Sequence, residues 1–208
     1  VQYWILKMDQ RTEGRKLTFA QAEPEIVTDL TARPLANWEF NTWLAQMYRE
    51  YQVTAYFYNS NIEPVEEYER RRDTTRERCE EIGLPFVEGP AGHNHWAEAV
   101  RGFEHEPEGG ARCLICWRLR LEEAARYAKE NGFEVFATTL TMGRNKKAEV
   151  INPLGQQAGE KYSVKFYEAD WKKGGGQEAA YQLAKEHNFY RQNYCGCSFN
   201  REKKIPPT

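Results

Sequence analysis

Two kinds of apolar pattern take turns along the chain. Short β-branched or aromatic runs alternate with longer stretches whose apolar residues recur every three or four positions. The first kind fits strands, and the second fits helices buried along one face. Residues 25–30 read as a first strand and 36–50 as a helix, with Phe40, Leu44, Met47 and Tyr48 at helical spacing. Residues 53–58 read as a strand, and Asn59-Ser60-Asn61 as a turn. A strongly charged helix is expected over 64–82, opened by Pro64 and stopped by Gly83. A short strand at 84–87 precedes a loop-like stretch, 89–110, with room for a short helix at 95–102. The pattern then predicts a helix over 116–131, with Leu121, Ala124, Ala125 and Ala128 on its apolar face and Gly132 at its end. Residues 134–140 and 164–167 read as strands, and 177–187 as a helix. The helical stretch 146–162 is expected to break, because Pro153 lacks a backbone donor. Asn152 would then cap a second segment that starts at Pro153.

Strands alternating with helices predict an α/β fold, a doubly wound, mostly parallel sheet. In such sheets ligands bind beyond the carboxyl ends of the strands, where the loops 31–35, 59–63 and 140–145 fall. The 208 residues divide into an N-terminal appendage (1–24), one α/β domain (25–200) and a C-terminal tail (201–208).

Composition narrows this only a little. The formal net charge of −2 neither demands nor forbids a nucleic-acid partner. Local basic clusters exist at Arg70-Arg71-Arg72 with Arg76 and Arg78, at Lys146-Lys147 and at Lys172-Lys173. They suit either phosphate contacts on RNA or solvated faces. No apolar run approaches the ~18 residues of a membrane helix. The opening Val1-Gln2-Tyr3-Trp4-Ile5 shows no signal-peptide pattern, so a soluble cytoplasmic protein is expected.

The cysteines carry the chemistry. Of the five, Cys113 and Cys116 form C-x-x-C, Cys195 and Cys197 form C-x-C, and Cys79 stands alone. Two cysteines three apart near a helix start can aim both sulfurs at one site. There the helix N-terminus, with Arg112 and Arg118, favours thiolate. That suits a metal, an iron–sulfur cluster or a redox dithiol. A disulfide across Cys195-Gly196-Cys197 would close a small ring and be easily reduced, which suits redox cycling; two further metal ligands are the other reading. Together the four thiols would suffice for zinc or a four-iron cluster. Cys79 reads as a packed apolar residue. His93 and His95 read as a loop pair, and His105 as a loop histidine between Glu104 and Glu106.

Four segments, in order, resemble one family, the epoxyqueuosine reductases of the QueH type. They are Phe57-Tyr58-Asn59-Ser60-Asn61-Ile62-Glu63-Pro64 with Glu67-Tyr68; Glu104 to Cys116; Thr138-Thr139-Leu140-Thr141 with Lys146, Ile151-Asn152 and Gly155; and Asp170-Trp171-Lys172-Lys173 with Tyr190 to Cys197. The resemblance implies a Rossmann-like fold of the HUP type and the two-electron reduction of epoxyqueuosine to queuosine in a tRNA anticodon loop, fed by an electron donor. It implies a [4Fe–4S] cluster held partly by Cys113 and Cys116, a redox pair at Cys195 and Cys197, and a second iron or zinc as a further option. By residue type alone, and not by the resemblance, Asp170 or His105 is the acid expected to protonate the opened epoxide. Where the family carries an adjacent cysteine pair before a proline, this chain has Thr31-Ala32 ahead of Pro34. A non-catalytic relative, binding metal or RNA as a module, is the alternative that this departure implies.

Overall fold

The computed structural model describes residues 37–143 and 145–201. They fall into two compact units, residues 37–55 with 78–86, and residues 56–77 with 87–201. In chain order the elements are α1 (Asn37–Glu50), β1 (Ala55–Phe57), α2 (Val65–Glu81), β2 (Phe86–Glu88), α3 (His93–Ala99), α4 (Ala111–Glu130), β3 (Val135–Phe136), a 3-10 turn (Leu140–Met142), α5 (Ala148–Tyr162), β4 (Lys165–Phe166), α6 (Gly176–Glu186) and α7 (Ser198–Arg201). The predicted α/β alternation is present. The strands of the described residues pair two by two, β1 with β2 and β3 with β4. The strand expected at 25–30 and the boundary expected at 24–25 lie outside the described residues.

In the smaller unit, Cys79 is buried, and burial pushes its thiol up. This is the packing role expected of it. The larger unit is built on α4 and α5. Cys113, Trp117, Leu121, Ala125 and Ala128 form a buried stripe along α4 at nearly every fourth position, as one face of a helix requires. Ile151, Leu154 and Ala158 of α5 pack into the same core, with Phe136, Leu140, Val164 and Phe166. α5 also serves as the crossover between parallel strands, with Val135 opposite Lys165 and Phe136 opposite Phe166. Gly155 lets this layer close, because a Cβ there would run into the Phe166 ring.

Three expectations change. α4 begins at Ala111, not 116, so both cysteines of C-x-x-C lie inside the helix. Its early start is supported by Glu106, whose carboxylate accepts the Ala111 N–H at 2.9 Å, one of the donors a helix start leaves free. α5 runs unbroken through Pro153. The proline ring is exposed, and its missing donor would have served the carbonyl of Glu149, itself an exposed residue that water can reach. The strand expected over 134–140 is only Val135–Phe136. The chain then turns, and Thr138 Oγ1 accepts the Leu140 N–H at 3.2 Å.

Candidate active site

Cys113, Cys116, Cys195 and Cys197 line one small cavity, together with Asn61, Trp96, Glu108, Arg112, Trp117, Arg120 and Lys146. Its volume, about 20 Å³, holds roughly one water. α4 supplies the first pair from two adjacent faces. Cys113 belongs to the main core, while Cys116 packs in a second cluster with Trp96, Val100 and Cys197. Cys113 Sγ accepts the Gly109 N–H at 3.2 Å. Cys195 Sγ and Cys197 Sγ stand 3.6 Å apart, and all five cysteines are thiols, none in a disulfide.

The second pair sits on a segment without regular structure, so side chains must hold it. Arg71 of α2 does most of this. Its guanidinium donates to Cys195 O at 3.1 Å and to Tyr194 O at 3.0 Å, and it pairs with Glu67 at 2.7 Å. Tyr190 Oη donates to the other oxygen of Glu67 at 2.7 Å, and Tyr194 Oη donates to Glu63 O. The Glu63 N–H donates back to Gly196 O at 2.8 Å. Gly196 has φ +123°, and a Cβ there would lie 2.8 Å from Ile62 Cγ1. Only glycine combines that backbone with that contact. The loop 59–63, expected to lie at a binding edge, thus becomes the seat of the C-x-C pair.

The electrostatics differ from the simple helix-terminus expectation. Burial raises the Cys113 thiol, outweighing the Gly109 N–H and Arg112, which lower it. Burial likewise raises Cys116 against the pull of Arg120. The positive groups bear the matching cost. Burial holds the Arg120 guanidinium below its usual value and brings Lys146 down to about 8, while the sulfurs of Cys116 and Cys195 favour the charged form of each. Arg112 is buried, donates to Phe103 O and Glu104 O, and lies over the Phe199 ring. Glu108 is the one carboxylate among the described residues on this wall.

A second cavity, of about 370 Å³, adjoins the first and shares Arg120, Lys146 and Cys195 with it. Lys146 and Lys147, neighbours in one basic cluster, part company here: the Lys146 side chain faces both cavities while Lys147 is exposed. The place of Lys146 in the loop after β3 was the available signal. The other basic clusters are largely engaged inside the chain. Arg70 lies over Tyr190, Arg72 and Arg76 pair with Asp73 and Glu88, Arg78 pairs with Glu81, and Lys172 donates to Lys146 O at 2.8 Å. Neither Asp170 nor His105 lines either cavity. His93 and His95 lie on α3, not in a loop. His93 bonds Ser60 O at 3.1 Å and pairs with Glu63 at 2.7 Å, while His95 is exposed.

Against known families, the model described as Epoxyqueuosine reductase QueH matches residues 39–203. The chain belongs to the QueH family. The matched range holds all four cavity cysteines and most of the chain. Among similar proteins, each named Epoxyqueuosine reductase QueH, that of Histophilus somni is 41% identical over 148 residues, covering 71% of this chain and 61% of the relative. That of Haemophilus influenzae is 38% identical over 150 residues, 72% of this chain and 61% of the relative. That of Acinetobacter baylyi is 37% identical over 155 residues, 74% of this chain and 71% of the relative. The chain therefore spans about three fifths of the first two relatives. Thr31 and Ala32 lie outside both the matched range and the described residues.

An iron–sulfur group can be tested against these QueH residues. Four thiols beside three cationic side chains suit an anionic, thiolate-bound group. The sulfur separation of 3.6 Å in C-x-C is near the ~3.8 Å edge of a tetrahedron with metal–sulfur bonds of ~2.3 Å. Yet among the described residues no three His, Cys, Asp or Glu side chains converge as a metal site. The described residues thus supply donors and charge but no closed set of ligands. Among them, no helix is long and apolar enough to cross a membrane.

Proposed function

We propose that this QueH-family chain reduces epoxyqueuosine to queuosine in a tRNA anticodon loop, with Cys195 and Cys197 as the immediate electron source. The observation that carries this reading is the 3.6 Å approach of the two sulfurs on the wall of the small cavity, with Cys195 lining the larger one as well. The chemistry balances. The dithiol gives two electrons and two protons, both C–O bonds of the epoxide break, a C=C bond forms, and the oxygen leaves as water. The product of the pair is a disulfide, which an electron donor must reduce before the next turnover. The small, Gly196-bridged ring favours that return to the thiols, because a strained disulfide is the more easily reduced one.

Cys113 and Cys116 are assigned to the [4Fe–4S] cluster that the family resemblance implies; the other cysteines are Cys79 and the C-x-C pair, so Thr31-Ala32 leaves two ligand positions without a thiolate of their own. A second iron or zinc at C-x-C is the further option. When bound, such a cluster supplies electrons one at a time. The surplus of positive charge from Arg112, Arg120 and Lys146 supports an anionic occupant. The Rossmann-like fold that goes with this reading is supported by the parallel β3–α5–β4 unit. A cytoplasmic location follows from a tRNA substrate and a reduced dithiol.

The test is reduction of epoxyqueuosine tRNA by the reconstituted chain with a strong reductant, followed by nucleoside mass spectrometry. The expected product has lost one oxygen, and Cys195→Ser and Cys197→Ser each abolish it. Full activity in either variant removes the dithiol from the mechanism. No product from an iron-loaded wild type would instead favour the module reading that Thr31-Ala32 suggests. Iron bound equally by Cys113→Ser and Cys116→Ser variants would sink the ligand assignment.

A further inference from the structure

The 370 Å³ cavity falls in the size range of small-molecule sites and has a polar, uneven wall. Phe57, Leu140 and Met142 supply apolar surface; Asn59, Gln192 and Tyr190 supply hydrogen-bonding groups. No carboxylate lines it among the described residues, while Arg71, Arg120 and Lys146 do. Arg71 is committed to the tail, as described above. The other two are not fully used. Arg120 donates to Asn59 Oδ1, but its buried Nε has no partner. Among the described residues, no hydrogen bond or ion pair engages the Lys146 ammonium. Its stem lies across Gly143, where a Cβ would sit 2.9 Å from Lys146 Cδ, so the side chain is steered inward by the loop beneath it. An ammonium that lines a cavity with no protein acceptor suits an occupant that brings one.

We propose that this cavity seats the epoxide-bearing ring of the modified nucleoside, with Lys146 as the donor that meets the epoxide oxygen and Cys195 at the carbon side. The inference rests on the reductase reading and deepens it by naming the substrate's seat. Arg120, Lys146 and Cys195 are the residues common to both cavities, so an occupant of the larger one stands against Cys195, one half of the dithiol. Lys146 takes the place for which residue type alone had nominated Asp170 or His105. As the C–O bond breaks, the ammonium passes a proton to the oxygen. A thiol of the Cys195–Cys197 pair returns one to the amine as the pair closes to a disulfide, so the overall balance is unchanged: epoxide and dithiol give alkene, water and disulfide.

Two measurements on the full chain test this separately from the reaction itself. The first is protection of Cys195 from alkylation by the epoxyqueuosine nucleoside, with unmodified tRNA of the same sequence as control. Protection by the nucleoside is expected, with loss in Thr74→Trp, which fills the cavity from α2. The second is turnover of epoxyqueuosine tRNA. Lys146→Met should lower kcat by roughly 100-fold or more with KM nearly unchanged, and Lys146→Arg should recover part of it. Thermal melting checks that each variant folds. If the wild type turns over but Lys146→Met does so equally well, the inference falls and the reductase reading stands. If the wild type is inactive while the nucleoside still protects Cys195 in a Thr74-dependent way, the seat stands and the reductase reading falls. Equal protection by unmodified tRNA assigns the cavity to backbone phosphate and overturns the proposal.

Discussion

Replacing Arg71 by lysine isolates what holds the C-x-C pair in place. The guanidinium makes two bonds to tail carbonyls, at 3.1 and 3.0 Å, and an ion pair to Glu67, and its side chain is almost fully enclosed. A lysine keeps the charge and one partner but cannot span all three acceptors. Each lost hydrogen bond to a charged donor is worth about 1.5 kcal/mol or more. Two of them give about 3 kcal/mol, or about a 100-fold rise in the open population of the tail. Two reporters read this locally. The Glu63 amide donates to Gly196 O, so its hydrogen exchange follows tail opening. The Cys197 thiol is buried, so its alkylation, mapped by peptide mass spectrometry, follows the same event. Both should accelerate together by about 100-fold, while amides of α4 and α5 keep their protection. Unchanged rates at both reporters would refute the clamp. Equal acceleration throughout α4 would mean that Arg71 supports the core as a whole and not the tail.

Two further outcomes follow from the core and from charge. Gly155→Ala forces a methyl into the Phe166 ring and should destabilise the larger unit by about 1–3 kcal/mol, read as a lowered urea midpoint with unchanged slope. For Lys146, the folded value of about 8 lies below the ordinary 10.5, so the folded state binds fewer protons than the unfolded one between those limits. Its contribution to stability therefore rises as pH climbs from about 8 to 10.5, by at most about 3 kcal/mol. Cys113 and Cys116, raised by burial, act in the opposite sense at alkaline pH. The comparison is thus between wild type and Lys146→Met. Denaturation curves whose difference does not change with pH over that window would contradict the buried ammonium.

The alternation of strand and helix was readable because period-two and period-3.6 patterns are local properties. So was the end of α2 just before Gly83. The start of α4 was not, because the group that satisfies its first donors is the Glu106 side chain, five residues back, and Gly110 carries no capping side chain. Pro153 misled for the opposite reason. Its local penalty is real, but an exposed ring on a helix packed by Ile151, Leu154 and Ala158 is outweighed by the burial of the other face. The four thiols were legible as two half-sites, and their meeting was not. That depends on Arg71, Glu67 and the loop 59–63, contacts separated by more than a hundred residues in the chain. Lys146 was visible as a charge and as one position of a family-like segment, but not as a cavity residue. Its inward direction comes from the loop that Lys172 fastens from the far side.

The division of the sulfurs between a helix and an irregular tail has a consequence for biosynthesis. Cys113 and Cys116 emerge from the ribosome well before Cys195 and Cys197, and their helix α4 finds its packing partners, α5 and β4, before the tail is made. Until Tyr190 to Cys197 dock on α2 and the loop 59–63, Cys116 lacks the part of its cover that Cys195 and Cys197 provide, and its thiol stands open to solvent on that side. Docking then closes the door. The order of residues along the chain thus leaves the closing of this cavity to the later pair of thiols.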